Sequence, residues 1–273
     1  MPMPPPITCD DVNRYIFSIA PDPKPWHDTE QVYAWGDPRT PCTGVAVAWW
    51  PGVDILRRAA AARLNFVVSH EDPIMEMTKL PLLPHRSPTP QTFSVPANRE
   101  RMRLMVENNL VVHRHHWNVD LAPWGIPNAF IEEMGWADKV VLADRCVRVV
   151  ELPPTPMAKV IEHVKSKLKI PFVRVNAPSA AHVVRRIGIA PGGSGQGWGT
   201  IAKYCELDCD TVIVGDMIHG CAKMAQECGV AVLDCFHHAT EQPGIRKLAA
   251  LISAQFPSLP VQYFEEPVPW NLM

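Results

Sequence analysis

Short runs of unbroken apolar residues alternate along this chain with stretches whose apolar positions recur at helical spacing. Gly44-Val45-Ala46-Val47-Ala48-Trp49-Trp50, bounded by Pro41 and Pro51, predicts a short apolar strand. An alanine-rich stretch from Val53 to Leu64 predicts a helix, and Asn65 to Ser69 predicts the next strand. A strand, helix, strand unit of this kind implies a parallel pair joined by a right-handed crossover. Upstream, Thr8 is placed to cap a helix over Asp10 to Ile19, with Val12, Ile16 and Ile19 on one face. Residues 98–108 predict a further helix, and Leu110 to His113 a further strand.

The second half repeats this grammar. Met157 to Leu168 reads as a helix, and Arg186 to Ala190 as a strand entering the turn Gly192-Gly193-Ser194-Gly195-Gln196-Gly197. Thr200 to Cys205 predicts a helix, Thr211 to Val214 a strand ending at Gly215-Asp216, and residues 219–228 another helix. The strand Val230 to Asp234 and a closing helix from Gly244 to Phe256 complete the pattern. Strand and helix alternate throughout, so the expected class is α/β, with two similar lobes built on mixed or parallel sheets. The lobes are expected at 1–135 and 136–273, with a site in the cleft between them. In such sheets ligands bind beyond the carboxyl ends of the strands.

Composition narrows the function classes. With 273 residues, 47% of them hydrophobic, the chain can bury one large core or two smaller ones. A formal net charge of -2 offers no basic footprint for nucleic acid, and a small-molecule substrate is the better expectation. The apolar stretch around Thr40 to Val53 is broken by two prolines and is too short for a bilayer, so no membrane role is expected. MPMPPPITCDD has neither the basic start nor the apolar run of a secretory signal, which points to the cytoplasm. The eight cysteines form no C-x-x-C pair and are expected as reduced thiols, with Cys235 alone placed beside a motif of interest. More than half of the 29 prolines precede Ala97, so the first third is loop-rich. Pro73 to Pro96 is long and carries few structural signals, as lids and subunit contacts often do.

Three strand ends run directly into metal-type side chains. Strand 65–69 leads to His70-Glu71-Asp72, strand 110–113 to His115-His116-Trp117-Asn118-Val119-Asp120, and strand 230–234 to His237-His238-Ala239-Thr240-Glu241. Imidazole and carboxylate are the ligands that divalent transition metals favour. One helical turn would place His237 and Glu241 on a common face. Each motif also has an ordinary reading: a solvated loop for His113, His115 and His116, a turn for Asp120, and first-turn helix charge for Glu241. Coincidence at three strand ends is the less economical account.

Together the motifs resemble the NIF-three-like dinuclear metal-centre family, also known as the type 2 homologue of GTP cyclohydrolase I. GDMIHG at 215–220 followed by LDCFHHATEQPG at 233–244 is similar to the family's G-D-x-x-H and D-x-G-H-x-x-T-E segments. HWNVDLAPWGIPN at 116–128 resembles its H-T-N-L-D segment, VVSHEDPI at 67–74 its T-H-H-P motif, and IAPGGSGQG its glycine-rich turn. The resemblance implies a ligand set of His70, Glu71, Asp120, His237 and Glu241 for two divalent ions, and a homohexameric ring. Glu71 stands where the family has a second histidine, and Asp72 is an alternative to it. Gly220 and Trp117 depart from the pattern as well, the latter altering a pocket wall. A carboxylate at position 71 favours manganese or iron over zinc.

Two ions of this kind hold a hydroxide between them and polarise a carbonyl or phosphoryl oxygen, which is hydrolytic chemistry. Asp120 is the candidate bridge. His116 and His219 offer proton donors near neutral pH, or equally the hydrogen bonds that orient a ligand. Gly193 and Ser194, with Trp117, are the candidate substrate contacts, although close packing of the glycine turn against the metal would explain its composition equally well. The turn fits neither a Walker A loop nor a dinucleotide fingerprint. The expected function is metal-dependent hydrolysis of a C–N bond in a small nitrogen heterocycle or cyclic amide. A metal-dependent phosphoesterase and a non-catalytic metal- or partner-binding protein are the alternatives.

Overall fold

Fully apolar four-residue runs can be buried on both faces only where neighbouring strands and covering helices take up every backbone and side-chain group, and this chain builds two such sheets. The computed structural model describes residues 5–21, 31–74, 90–177, 179 and 181–271. In chain order the elements are α1 (Cys9–Ile19), β1 (Gln31–Trp35), β2 (Val45–Ala48), α2 (Val53–Ala61), β3 (Phe66–Ser69), α3 (Pro90–Ser94), α4 (Pro96–Glu107), β4 (Val111–His115), α5 (Trp117–Leu121) and α6 (Ile126–Glu133). Then come β5 (Val140–Asp144), β6 (Val147–Pro156), α7 (Met157–Leu168), β7 (Arg174–Asn176), β8 (Val183–Ala190), α8 (Trp198–Glu206), β9 (Thr211–Val214), α9 (His219–Glu227), β10 (Ala231–Asp234), α10 (His237–Gln255) and β11 (Val261–Phe264). The class is α/β with two mixed sheets. Most of Pro73 to Pro96, the segment expected as a lid or subunit contact, lies outside the described residues.

The chain divides into two compact units, Met1–Ala122 with Ile245–Glu266, and Pro123–Gly244 with Pro267–Met273. They are not consecutive segments, as a division at 135/136 would make them. The C-terminal strand is the reason: β11 pairs with β2 in parallel, Val261 opposite Val45, and so belongs to the first sheet. That sheet has the order β1-β4-β3-β2-β11, in which β2, β3 and β4 are parallel neighbours and β1 runs antiparallel along β4. Thr8 caps α1 in a reciprocal capping box with Asp11, which satisfies two helix-end donors at once. The core includes Ile55, Leu56, Val67, Met105 and Val112, and full burial of each large aliphatic side chain contributes about 1.5–3 kcal/mol.

The second sheet has the order β5-β6-β8-β9-β10-β7, parallel over β8, β9 and β10 and antiparallel elsewhere. Its apolar clusters include Ile187, Ile189, Ile213 and Leu233 in one, and Val212, Val214, Val232 and Tyr204 in the other. Glycine is required at 188, where a Cβ would lie 2.3 Å from the Tyr204 ring. One ordinary reading and one expectation are corrected. Strand β4 continues through His115, so His113 and His115 are not in a solvated loop: both are buried, stacked at 4.2 Å between ring centroids, with Phe17 against each. Burial pushes the His113 imidazole down to about 3, and it pushes His115 down as well. The closing helix starts at His237 and carries Pro243 inside it, rather than starting at Gly244.

Candidate metal centre

The parallel strands of each sheet end in the side chains singled out above. In the first unit, β3 ends at Ser69 and delivers His70, while β4 ends at His115 and delivers His116 and α5. His70 is 1% exposed, and its Nδ1 lies 3.0 Å from the His115 carbonyl. A carbonyl only accepts, so Nδ1 carries the proton and Nε2 keeps its lone pair, the tautomer a metal ligand needs. That Nε2 faces Asp120 Oδ1 at 3.6 Å. His116 lies 3.9 Å from Glu71 through Nε2 and 3.9 Å from Asp120 through Nδ1, with its ring 4.6 Å from that of His70. Single ligand atoms of His70, Glu71 and His116 lie within 4.8 Å of one another, close enough for one ion.

A buried cation backs this group. Arg114, on β4, places Nη2 3.3 Å from Glu71 and Nη1 3.4 Å from Asp72, while its Nε donates to the His70 carbonyl at 3.1 Å. Glu71 thus faces both Arg114 and His116, whereas Asp72 faces Arg114 and stands in none of the ligand-type groups among the described residues. Trp117 stands edge-on to His116 at 5.5 Å and walls one side of it.

In the second unit, β8, β9 and β10 end side by side at Pro191-Gly192, Gly215-Asp216 and Asp234. Asp234 is buried and accepts the Met217 amide at 2.9 Å and the Phe236 amide at 3.2 Å, with Arg174 as its ion partner. Burial pushes its carboxyl up, against the pull of those partners. Phe236 takes a left-handed φ of 67°, a turn that a bulky residue rarely adopts, and the chain then enters α10 at His237. His237 Nδ1 lies 3.0 Å from Asp216 Oδ2, and Nε2 lies 3.3 Å from Glu241 Oε2. A carboxylate on the far ring nitrogen is the arrangement that orients metal-binding histidines and makes them better donors.

The glycine turn, a short 3₁₀ helix over Gly192–Gln196, explains itself in this setting. Gly192 donates its amide to Thr240 Oγ1 at 2.9 Å and accepts the Asp216 amide at 3.1 Å. A Cβ on it would stand 1.8 Å from Glu241 Oε1 and 3.2 Å from His237 Nε2, and its φ is +66°. Gly215 is equally confined by the Gly192 backbone, 2.5 Å from a built Cβ. Close packing of backbone against the histidine and carboxylate is therefore what these glycines achieve. At Gly193 a Cβ would meet His237 at an ordinary 3.4 Å, and Ser194 donates its hydroxyl to the Pro191 carbonyl at 2.9 Å.

A model of the family described as Duf34/NIF3 (NGG1p interacting factor 3) matches residues 31–268. The chain belongs to this family. Among NIF3 relatives, a protein of Methanocaldococcus jannaschii named GTP cyclohydrolase 1 type 2 homolog is 21% identical over 214 residues, 77% of this chain and 80% of that protein. The solved structure of protein ybgI, of unknown function, matches with a TM-score of 0.80 at 17% identity over 97% of this chain and 100% of that one. A Bacillus cereus protein related to NIF3 matches with a TM-score of 0.78 at 13% identity, covering 99% and 100%. At these identities the solved structures show the shared NIF3 fold.

Sequence reasoning passed over several residues that shape the candidate site. Asp216 stands in the sequence as a strand-end residue and as the aspartate of GDMIHG, but its contact with His237 depends on β9 and β10 being parallel neighbours. Arg114 was hidden in a polar-looking run, VVHRH, that is in fact a buried strand. Of the candidate proton donors, His116 stands inside the first ligand group, whereas His219 is exposed and lines a cavity with Arg174 and Asn176. Cys235 is fully buried, and burial raises its thiol, so it offers no reactive thiolate. All eight cysteines are free. No described helix is long and apolar enough to cross a membrane.

Proposed function

We propose that this protein is a dinuclear metal-dependent hydrolase that opens a C–N bond in a small nitrogen heterocycle or cyclic amide. The observation that carries the reading is the donor chemistry: His70 and His237 each have Nδ1 committed to an oxygen acceptor and turn Nε2 toward a carboxylate. Surface or core histidines have no need of that pairing. The residues therefore fit divalent ions, and we assign His70, Glu71, His116 and Asp120 with His237 and Glu241 as the side chains that would hold two of them. His116 is moved into the ligand set because of its place beside Glu71 and Asp120. The mixture of imidazole and carboxylate suits manganese or iron(II), and Glu71 tips it further that way.

When bound, the two ions supply Lewis acidity, which polarises the group under attack and makes water a competent nucleophile near neutral pH. The protein's part is to hold the donors in one tautomer and to balance their charge. The His115 carbonyl and Asp216 do the first, and Arg114 does the second. The cyclohydrolase name of relatives supports C–N chemistry, and family likeness supports a cytoplasmic homohexamer, which light scattering would separate from a monomer. The functional test is turnover by the metal-loaded protein on a panel of cyclic amides, pyrimidines, purines and phosphate esters. Chelator-sensitive ring opening that His237→Ala abolishes is the expected result. Turnover confined to phosphate esters, or none on any substrate, would overturn the assignment.

A further inference from the structure

Beside β7 and the carboxyl end of β10, a cavity of about 260 Å³ opens with α9 as its other wall. Val232, Ala222 and Met217 give it an apolar lining, and Arg174, Asn176 and His219 bring polar groups to it. The donors there are unequally used. Arg174 commits Nη2 to the Asp234 carboxylate and the Met217 carbonyl, the latter at 3.3 Å, which leaves Nε and Nη1 without a partner among the described residues. Asn176 donates Nδ2 to the Ala222 carbonyl at 2.8 Å, which fixes its amide and leaves Oδ1 as a spare acceptor. Residues 174 and 176 are two apart on β7 and so share one face of the strand.

The ligand class follows from charge and hydrogen-bond pattern together. Asp234 offsets the Arg174 charge, so the cavity has no surplus positive charge with which to draw in a simple anion. It offers instead guanidinium N–H donors on two nitrogens near one amide oxygen acceptor, over an apolar surface. A neutral ring bearing a carbonyl next to an N–H presents the complementary edge, and a cavity somewhat below the usual range for drug-sized ligands suits one small ring. We infer that this cavity is a binding site for a planar cyclic amide, with Arg174 donating to the ring carbonyl, Asn176 Oδ1 accepting the ring N–H, and His219 at the mouth. The inference rests on the cavity and is independent of the metal assignment.

The test uses uracil and hydantoin as probes of the full-length protein, with and without chelator, followed by calorimetry and ligand-observed NMR. At least one probe should bind metal-free protein, and Arg174→Gln and Asn176→Ala should each weaken it about tenfold, since a site built to pair polar groups discriminates against losing one. Ala222→Leu, which fills the cavity and leaves Arg174 and Asp234 untouched, should block binding and guards against a folding defect in the Arg174 variant. 1,3-Dimethyluracil, lacking the N–H, and benzoate, an anion, should bind at least about tenfold more weakly than uracil. Absence of binding by both probes up to about 10 mM, well beyond the affinity expected of a built site, would overturn the proposal. So would equal binding of 1,3-dimethyluracil, preference for benzoate, or indifference to all three substitutions. Because the readout is binding to chelated protein, failure of the metal assignment leaves the result unaffected.

Discussion

His237 in the second unit and His70 in the first have the same chemistry but are held by different means. Around His237 two carboxylates, Asp216 and Glu241, face the ring nitrogens at 3.0 and 3.3 Å, and the backbone confines them: three parallel strand ends converge, Gly192 is hydrogen-bonded on both sides, and no space remains for a side chain there. Around His70 a backbone carbonyl, that of His115, takes Nδ1 at 3.0 Å, Asp120 faces Nε2 at 3.6 Å, and a buried guanidinium lies beside the neighbouring carboxylates Glu71 and Asp72. Backbone packed this closely tolerates no side chain at Gly192. The charge-balanced group depends instead on a cation, whether Arg114 or a bound metal.

The comparison breaks most visibly at Gly192. Gly192→Ala combines a left-handed φ with a Cβ inside van der Waals contact of Glu241, and should cost about 3 kcal/mol or more of stability together with the ion held by His237. Urea unfolding and elemental analysis would measure both, and a variant as stable as the parent would show that the turn can move aside. Arg114→Gln comes next. Loss of the buried partner of Glu71 and Asp72 should cost about 2–4 kcal/mol in chelated protein and clearly less once metal is added. An equal loss in both forms would mean that Arg114 serves packing alone.

Much of this contrast was legible in the sequence and some was not. The strand ends at Ser69 and Asp234 could be read because short apolar runs stop abruptly at polar residues there. β6 escaped because Pro153, Pro154 and Pro156 argue against a strand inside a sheet, yet they fall where its register with β8 shifts between Glu151 and Thr155, at or near the irregularity that accommodates them. β11 escaped because four residues near the C-terminus give no hint that they pair with a strand more than two hundred residues earlier. The backing of each histidine escaped for the same reason. Periodicity tells which face of an element is apolar, but it does not tell which distant carbonyl or carboxylate meets an imidazole.

Two smaller effects sharpen the comparison. Asp216→Asn keeps the shape of the contact to His237 Nδ1 but removes its charge, and should weaken metal binding about 10–100-fold with little change in fold. Competition with a fluorescent chelator would measure it, and unchanged affinity would remove Asp216 from the account. His113 gives a pH signature in the first unit. Its folded imidazole titrates near 3 while the unfolded one titrates near 6.5, so the folded state binds fewer protons between those values. Stability is therefore unaffected above about 6.5 and falls by about 1.4 kcal/mol per pH unit as the pH drops toward 3. His113→Gln should flatten that slope in urea unfolding curves, and an unchanged slope would show that other groups cause it.

The central claim is that the two histidine and carboxylate sets hold two divalent ions. Elemental analysis of protein purified without chelator, repeated after reconstitution with manganese, iron(II) and zinc, tests it most directly. The account predicts about two ions per chain in the parent protein and a clear loss in both His237→Ala and Asp120→Ala. Protein that carries no metal when purified and takes up none on reconstitution would contradict it.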